Sequence, residues 1–250
     1  MKIVALVKRV PVTTLQPKVA ADQKNLDASG VEYMTSFYDE IAVEEAVRLK
    51  EKAGGEVTVL TLGAKDGTKE IRECLAKGAD HAVLLVDEAW GARDAWSTAQ
   101  ALANWVRGAA PDVVFCGRLA TDRDNAAVGP MVASLLGWAC ITDAVHVAIE
   151  NGKCVVKREA EAGVETFACD LPAVISCQKD LNEPRYAGLK GIMAAKKKEL
   201  LEVVAPPAQN QAEVVRLELP PARPAGRIVG EGAAAVPALI QALRQEAKVL

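Results

Sequence analysis

Asp112-Val113-Val114-Phe115-Cys116-Gly117-Arg118-Leu119-Ala120-Thr121-Asp122-Arg123-Asp124-Asn125-Ala126-Ala127-Val128-Gly129-Pro130-Met131-Val132-Ala133-Ser134-Leu135-Leu136-Gly137-Trp138 decides the reading of this chain. It opens on an apolar run of strand length, passes through a small-residue loop with Asp and Asn, and ends in a segment of helical character from Met131. Strand, loop and helix in that order are how an open α/β sheet presents a ligand, beyond the carboxyl ends of its strands and at a helix N-terminus that offers free N–H groups. The loop carries neither GxGxxG nor GxxxxGK[ST], so neither common phosphate fingerprint applies. As a bare pattern it is also that of an ordinary βα connection.

The same alternation extends back to the first residues. Residues 3–7 form a continuous apolar run suited to a strand buried on both faces. Lys8-Arg9 follow at its carboxyl end, readable either as a solvated strand end or as a basic rim over an anion. Residues 18–35 are polar and predict an excursion of loop or short strands. Tyr38-Asp39-Glu40 opens a helix whose apolar face is Ile41, Ala42, Ala46, Val47 and Leu49, and Gly54-Gly55 ends it. The acidic pair suits the positive end of the helix dipole. A strand at 57–62, a helix at 68–77, a strand at 82–86 and a helix at 94–107 lead to the quoted stretch. The expectation is a mainly parallel sheet with helices on both faces.

After residue 140 the pattern changes. Residues 145–149 and 154–158 flank Asn151-Gly152 and predict a β-hairpin. A further strand is expected at 165–169 and an apolar one at 171–177. Lys196-Lys197-Lys198 reads as a solvated helix end. Pro206-Pro207 and Pro220-Pro221 mark a stiff extended arm, closed by an amphipathic helix over 234–248 with Leu239, Ile240 and Leu243 on one face. The arm suits either wrapping around a partner subunit or packing back on its own domain.

Composition excludes several classes. Apolar residues are 50% and charged residues 25%, as in a globular protein, and a net charge of −3 gives no nucleic-acid or membrane surface. No apolar run approaches the roughly 18 residues that a membrane span needs. The opening Met1–Val7 run is too short for a signal peptide, which leaves no targeting segment. The six cysteines are scattered, without a CxxC pair or a nearby His, so spacing predicts neither a disulfide framework nor a metal site, and a reducing compartment is the default. His81 and His146 read as structural or solvated. No residue stands out as a general acid, base or nucleophile.

Several stretches together resemble the beta (small) subunit of electron-transfer flavoproteins. They are Val7-Lys8-Arg9-Val10-Pro11, Tyr38-Asp39-Glu40-Ile41-Ala42-Val43-Glu44-Glu45-Ala46-Val47-Arg48-Leu49-Lys50, the loop over 117–129, the region 156–176, Leu181-Asn182-Glu183-Pro184-Arg185-Tyr186 and Lys196-Lys197-Lys198. The resemblance spans the chain, including the Pro220-Pro221 arm. It implies a Rossmann-like domain of the adenine nucleotide alpha hydrolase-like kind over residues 1–200, with a partner-docking loop at 183–193. Residues 201–250 are then an arm and helix packing on a larger alpha subunit.

The resemblance further implies an FAD shared with that alpha subunit and a structural AMP in this one. In an electron-bifurcating branch a second FAD, which oxidises NADH, takes the AMP pocket. Positions that match the family's nucleotide pocket are Leu6, Ser36, Phe37, Tyr38, Asp39, Leu62, Gly63 and the whole of 119–130. Loop N–H groups over 124–128 would hold phosphate, and Asp122 and Asp124 are assigned to helix capping, ribose hydroxyls or bonds within the loop. Leu189 matches the apolar anchor that docks acyl-CoA dehydrogenases, with Glu183, Arg185, Tyr186, Ile192 and Met193 around it. The implied role is an electron carrier running from flavin dehydrogenases to a membrane quinone reductase, in a prokaryotic cytoplasm or a mitochondrial matrix. The flavin carries the redox chemistry.

The chain departs from the family in two places. Ser36-Phe37 stand where many members have Asn-Pro, and Val12 where they have Asp. Val128-Gly129-Pro130 resembles the bifurcating branch, whereas Asp39-Glu40-Ile41-Ala42-Val43-Glu44-Glu45 resembles the AMP-binding branch. Both nucleotides stay open on the sequence. From the fold alone a nucleotide-binding regulatory protein would also fit, but the 181–198 segment and the arm do not suit a minimal domain of that kind.

Overall fold

Residues 3–7 and 113–116 are buried on both sides because each strand's alternating side chains face a different helical layer. In the computed structural model, which describes residues 1–223 and 225–250, Ile3, Ala5, Val113 and Phe115 join one apolar cluster, and Val4, Leu6, Val114 and Cys116 join the other. In chain order the elements are β1 (Lys2–Leu6), β2 (Arg9–Pro11), β3 (Tyr33–Thr35), α1 (Phe37–Ala53), β4 (Glu56–Gly63), α2 (Thr68–Lys77), β5 (His81–Val86), α3 (Ala95–Ala109), β6 (Val113–Gly117) and α4 (Val128–Leu136). There follow β7 (Ala139–Glu150), β8 (Lys153–Ala160), β9 (Gly163–Asp170), β10 (Ala173–Cys177), α5 (Leu189–Ala195), β11 (Leu200–Val204) and α6 (Val236–Ala242).

One nine-stranded sheet has the order β11-β5-β4-β1-β6-β10-β7-β8-β9. Every neighbouring pair from β11 to β7 is parallel, and β7-β8-β9 are antiparallel. Helices α1 and α2 supply Ile41, Val43, Val47, Ile71 and Leu75 to one face, and α3 and α4 supply Leu102, Val106 and Val132 to the other. The expected mainly parallel α/β sheet, with helices on both faces and a hairpin extension, is what the chain forms. From β1 the chain builds outward through β4 and β5 on one side. It then crosses to β6 on the other side of β1. The carboxyl ends of β1 and β6 are therefore the topological switch point, where open α/β sheets take their ligands.

The 18–35 excursion of loop or short strands returns as β3, which pairs antiparallel with β2 in a separate two-stranded sheet. Helix α4 starts at Val128 rather than Met131. Pro130 fits there because a first-turn residue needs no N–H partner and its φ is already helical. The 200/201 division between domain and arm falls at the start of a sheet strand. Leu200–Val204 pairs parallel with β5, the first compact unit runs to Leu217, and the second is Glu218–Leu250.

The lysine run is also not uniformly solvated. Lys198 Nζ donates to the carbonyls of Leu75 at 2.9 Å and Ala79 at 2.5 Å, covering the carboxyl end of α2. In the second unit, α6 continues through a wide turn at Leu243–Ala247, and Arg227 pairs with Glu246. Among the described residues no helix is long and apolar enough to cross a membrane.

Candidate functional site

A cleft opens over the carboxyl ends of β1, β4 and β6. Leu6, Leu62, Leu102 and Trp90 give it apolar walls, and the 117–129 loop forms its rim. Its floor is organised by Asp39 in the first turn of α1. One Asp39 oxygen accepts the N–H of Lys8 at 2.8 Å, and the other accepts the N–H of Gly117 at 2.9 Å. A single buried carboxyl thereby ties the end of β1 to the end of β6. Burial drives its pKa up to about 7, against the two backbone N–H bonds and the Lys8 charge, which pull it down. Gly117 has to be glycine at this junction. A Cβ there would lie 2.5 Å from Asp39 Oδ1 and 2.8 Å from backbone atoms of residues 38 and 39.

The rim loop is held from outside the sheet. Lys8 Nζ makes two bonds to the Asp122 carboxylate, at 2.8 and 2.6 Å. Arg123 donates to the carbonyls of Gly91 at 2.8 Å and Arg93 at 3.3 Å. Arg93 is itself buried, paired with Asp87 and bonded to Ser97 Oγ at 3.1 Å. These ties fix the loop over the cleft and anchor it to the turn after β5. Within the loop Asp124 and Ala126 both take φ of +50°, unusual for residues with a side chain. Ala127 returns to right-handed helical angles and α4 begins. Such a left-to-right succession turns consecutive N–H groups toward one point and makes an anion-binding concavity. No side chain caps α4, and the first-turn N–H groups of Val128 and Gly129, two residues that line the cleft, have no acceptor inside the helix. Thr121 Oγ1 and Ser36 Oγ are buried without a hydrogen-bond partner.

Of the residues singled out in the sequence, Leu6, Asp39, Leu62, Leu119, Ala120, Asp122, Arg123, Asn125, Ala126, Ala127, Val128 and Gly129 border the cleft. Thr121, Asp124 and Pro130 belong to the same loop without lining it. Ser36 and Tyr38 do not line the cleft, Gly63 borders a small recess beside Arg9, and Phe37 faces a separate groove. Of the roles expected for Asp122 and Asp124, helix capping, ribose hydroxyls or bonds within the loop, capping of α4 is not what they do. Residue 127 is the cap position, and Asp122 spends its carboxylate on Lys8. Sequence reading missed Trp90, Gly91, Arg93, Asp94 and Thr98, which the βα connection after β5 brings to the cleft. The available signal was Asp94 before an apolar-periodic run. It is the N-cap of α3 and accepts from Ser97 N–H at 2.7 Å.

The segment after β10 makes a second surface. Asn182 Nδ2 donates to Ile41 O at 3.1 Å and Glu45 Oε2 at 3.0 Å. Arg185 bonds Glu44 at 2.8 Å and Glu51 at 2.6 Å. Burial raises the Glu44 pKa, but the bonds from Arg185 and Arg48 outweigh it and leave the carboxyl below its ordinary range. The backbone so pinned on α1 carries outward-facing apolar side chains. Tyr186 is 97% exposed, Leu189 78%, Met193 57% and Ile192 44%. Glu183 contributes through its backbone, accepting from Arg48 at 3.3 Å. Among the described residues no cluster of His, Cys, Asp and Glu has the arrangement of a metal site.

Comparison with known proteins agrees with this geometry. Residues 24–208 match the model of the electron transfer flavoprotein domain. The electron transfer flavoprotein subunit beta of Bacillus subtilis (strain 168) is 35% identical over 259 residues, covering 100% of both chains. That of Bradyrhizobium diazoefficiens is 37% identical over 255 residues, again covering 100% of both. The mitochondrial electron transfer flavoprotein subunit beta of Oryza sativa subsp. indica is 37% identical over 259 residues with the same coverage. A family model over most of the chain and relatives 35–37% identical over their whole length place the chain in one family: it belongs to the electron transfer flavoprotein beta subunits.

Proposed function

We propose that this chain pairs with an alpha subunit in a heterodimeric electron carrier, and that its switch-point cleft holds AMP as a structural ligand. The observation that carries the reading is the rim loop, with φ of +50° at Asp124 and Ala126 running into the uncapped start of α4. That backbone offers N–H groups to a phosphate and needs no basic side chain at the same spot. The apolar walls of Leu6, Leu62, Leu102 and Trp90 fit a nucleoside on the same cleft. Val128-Gly129-Pro130 at the start of α4 favours the second reading, a second FAD in this cleft oxidising NADH.

The redox flavin, FAD shared with the alpha subunit, supplies the electron chemistry when bound. This chain's residues position it and the partner. Electrons arrive from flavin dehydrogenases, acyl-CoA dehydrogenases among them, and leave to a membrane quinone reductase. Tyr186, Leu189, Ile192 and Met193, on a backbone pinned by Arg185 to Glu44 and Glu51, fit the docking of those dehydrogenases. Relatives from bacteria and one with "mitochondrial" in its name fit a prokaryotic cytoplasm or a mitochondrial matrix as the setting. The deciding experiment is to denature the co-purified two-chain complex and identify the released nucleotides. AMP and FAD in about equal amounts support the carrier reading. FAD at about twice the heterodimer with no AMP gives the bifurcating one. FAD equal to the heterodimer with no AMP removes a nucleotide from this cleft altogether.

A further inference from the structure

We propose that Cys154 and Cys169 form a reversible cross-strand disulfide when the protein meets a peroxide or a low-molecular-weight disulfide, stapling β9 to the rest of the sheet. The two residues are 15 positions apart in a chain whose cysteine spacing shows no motif, and the antiparallel ladder makes them direct partners, Cys154 opposite Cys169. Directly opposed residues in such a ladder have Cα atoms about 4.5–5.5 Å apart. Disulfides span Cα separations of about 4.4–6.8 Å. Both side chains lie on the face of the sheet that packs with Ile149 and Val156. Both are free thiols in the structure.

Their unequal exposure sets the order of events. Cys169 is half-buried and meets the oxidant first; Cys154 is fully buried beneath it. With a peroxide, the Cys169 sulfur takes one oxygen to become a sulfenic acid, and the peroxide leaves as water. Cys154 then attacks that sulfur, the S–S bond forms, and the sulfenic oxygen leaves as a second water. Two thiols are oxidised by two electrons and one peroxide is reduced. A dithiol reverses the step by exchange. Burial, with the neighbouring Cys169, pushes the Cys154 thiol up to about 12, which keeps it protonated and makes the second step slow.

The staple would act where the sheet is least secured. β9 is its terminal strand and is exposed along nearly its whole length. Beyond the ladder it is held by surface ties, the Arg158 to Glu165 and Lys153 to Asp170 ion pairs and the Arg158 guanidinium over the Phe167 ring. A crosslink there protects an open edge from fraying and from pairing with another chain.

The test treats the full-length chain, co-purified with its alpha partner, with hydrogen peroxide or diamide and then maps peptides without reduction. The expected result is a Cys154–Cys169 linked peptide, 2 Da lighter than its two free parts. Dithiothreitol should remove it, Cys154→Ala and Cys169→Ala should each lack it, and amide exchange over 153–170 should slow in the oxidised form. Exposed Cys140 reports that the reagent was active. Modified Cys140 with no 154–169 link, or Cys169 left as a mixed disulfide or sulfinic acid beside a free Cys154, would overturn the proposal. A linked peptide with unchanged exchange over 153–170 would overturn the stapling role.

Discussion

Asp39→Asn is the substitution that most directly probes how the switch point is built. The wild-type carboxyl accepts two backbone N–H groups, from Lys8 and from Gly117. An amide of the same shape offers only one acceptor oxygen, so one of those N–H groups faces an NH₂ donor. Leaving a buried donor unmatched costs about 1–3 kcal/mol. The charge side of the change has the opposite sign and depends on pH. Asp39 has an ordinary value of 3.8 and is raised in the folded protein to about 7 by burial. A folded-state pKa above the unfolded one means that the native state binds the extra proton between those values. Its contribution is therefore largest at or below pH 3.8 and is lost as pH rises through 7. Between pH 5 and pH 8 that loss is roughly 2–3 kcal/mol.

The asparagine variant has no such proton. Its melting temperature relative to wild type should therefore be lower at pH 5 and should recover toward pH 8. The change in the difference should be about 5–10 °C, from the usual 2–4 °C per kcal/mol for a chain of this size. Comparing the two proteins at each pH cancels the other carboxylates, which titrate in both. A melting difference that stays constant from pH 5 to pH 8 would refute the argument, because it would mean that Asp39 is ionised throughout and that its two N–H bonds outweigh burial.

Gly129→Ala should lower the nucleotide recovered from the complex and reduce stability by about 1–3 kcal/mol, since the added Cβ would lie 2.6 Å from the buried Cys116 Sγ. Nucleotide content and melting temperature unchanged from wild type would count against close packing of α4 on β6 as the basis of the site. Leu189→Ala should leave melting near normal, because the side chain is 78% exposed, while slowing dehydrogenase-to-flavin electron transfer at limiting partner roughly ten- to hundredfold, the equivalent of about 1.5–3 kcal/mol of lost burial. Transfer at the wild-type rate, or a large drop in melting temperature, would remove the docking role.

The strands of the parallel core were legible because residues 3–7, 82–86 and 113–116 are apolar without alternation, and only a strand covered on both faces tolerates that. The Asn151-Gly152 turn was legible for a different reason, the positive φ that both residues adopt there. Strand Leu200–Val204 was not. It is five residues long, carries Glu202, follows a lysine run, and becomes a strand only because the edge of β5 is open beside it. The site was legible where loop composition matched the family. It was hidden where remote elements converge. Trp90 and Arg93 reach the cleft through tertiary placement of the β5–α3 connection, and the link from Asp39 to Gly117 joins positions 78 apart. The two opposed cysteines were hidden by the same cause, since ladder register and not spacing brings them together.

The cleft's construction gives the proposed structural AMP a physical role. Its walls come from β1, β4 and β6, its rim from the loop before α4, and its side from the turn after β5. These parts are joined across the opening mainly by polar ties, Asp39 to two backbone N–H groups, Lys8 to Asp122, and Arg123 to two carbonyls. Ion pairs exposed to solvent contribute little, typically about 0–1 kcal/mol each. A ligand that binds only the folded arrangement adds more. At a hundred times its dissociation constant it stabilises by about 2.7 kcal/mol. A phosphate on the α4 N-terminus, with its nucleoside between Leu6, Leu62 and Trp90, would bridge all the parts at once. It would fix the loop in the strained backbone that Asp124 and Ala126 adopt. On the proposed reading a nucleotide in this position would act as part of the fold, held by shape and backbone N–H groups.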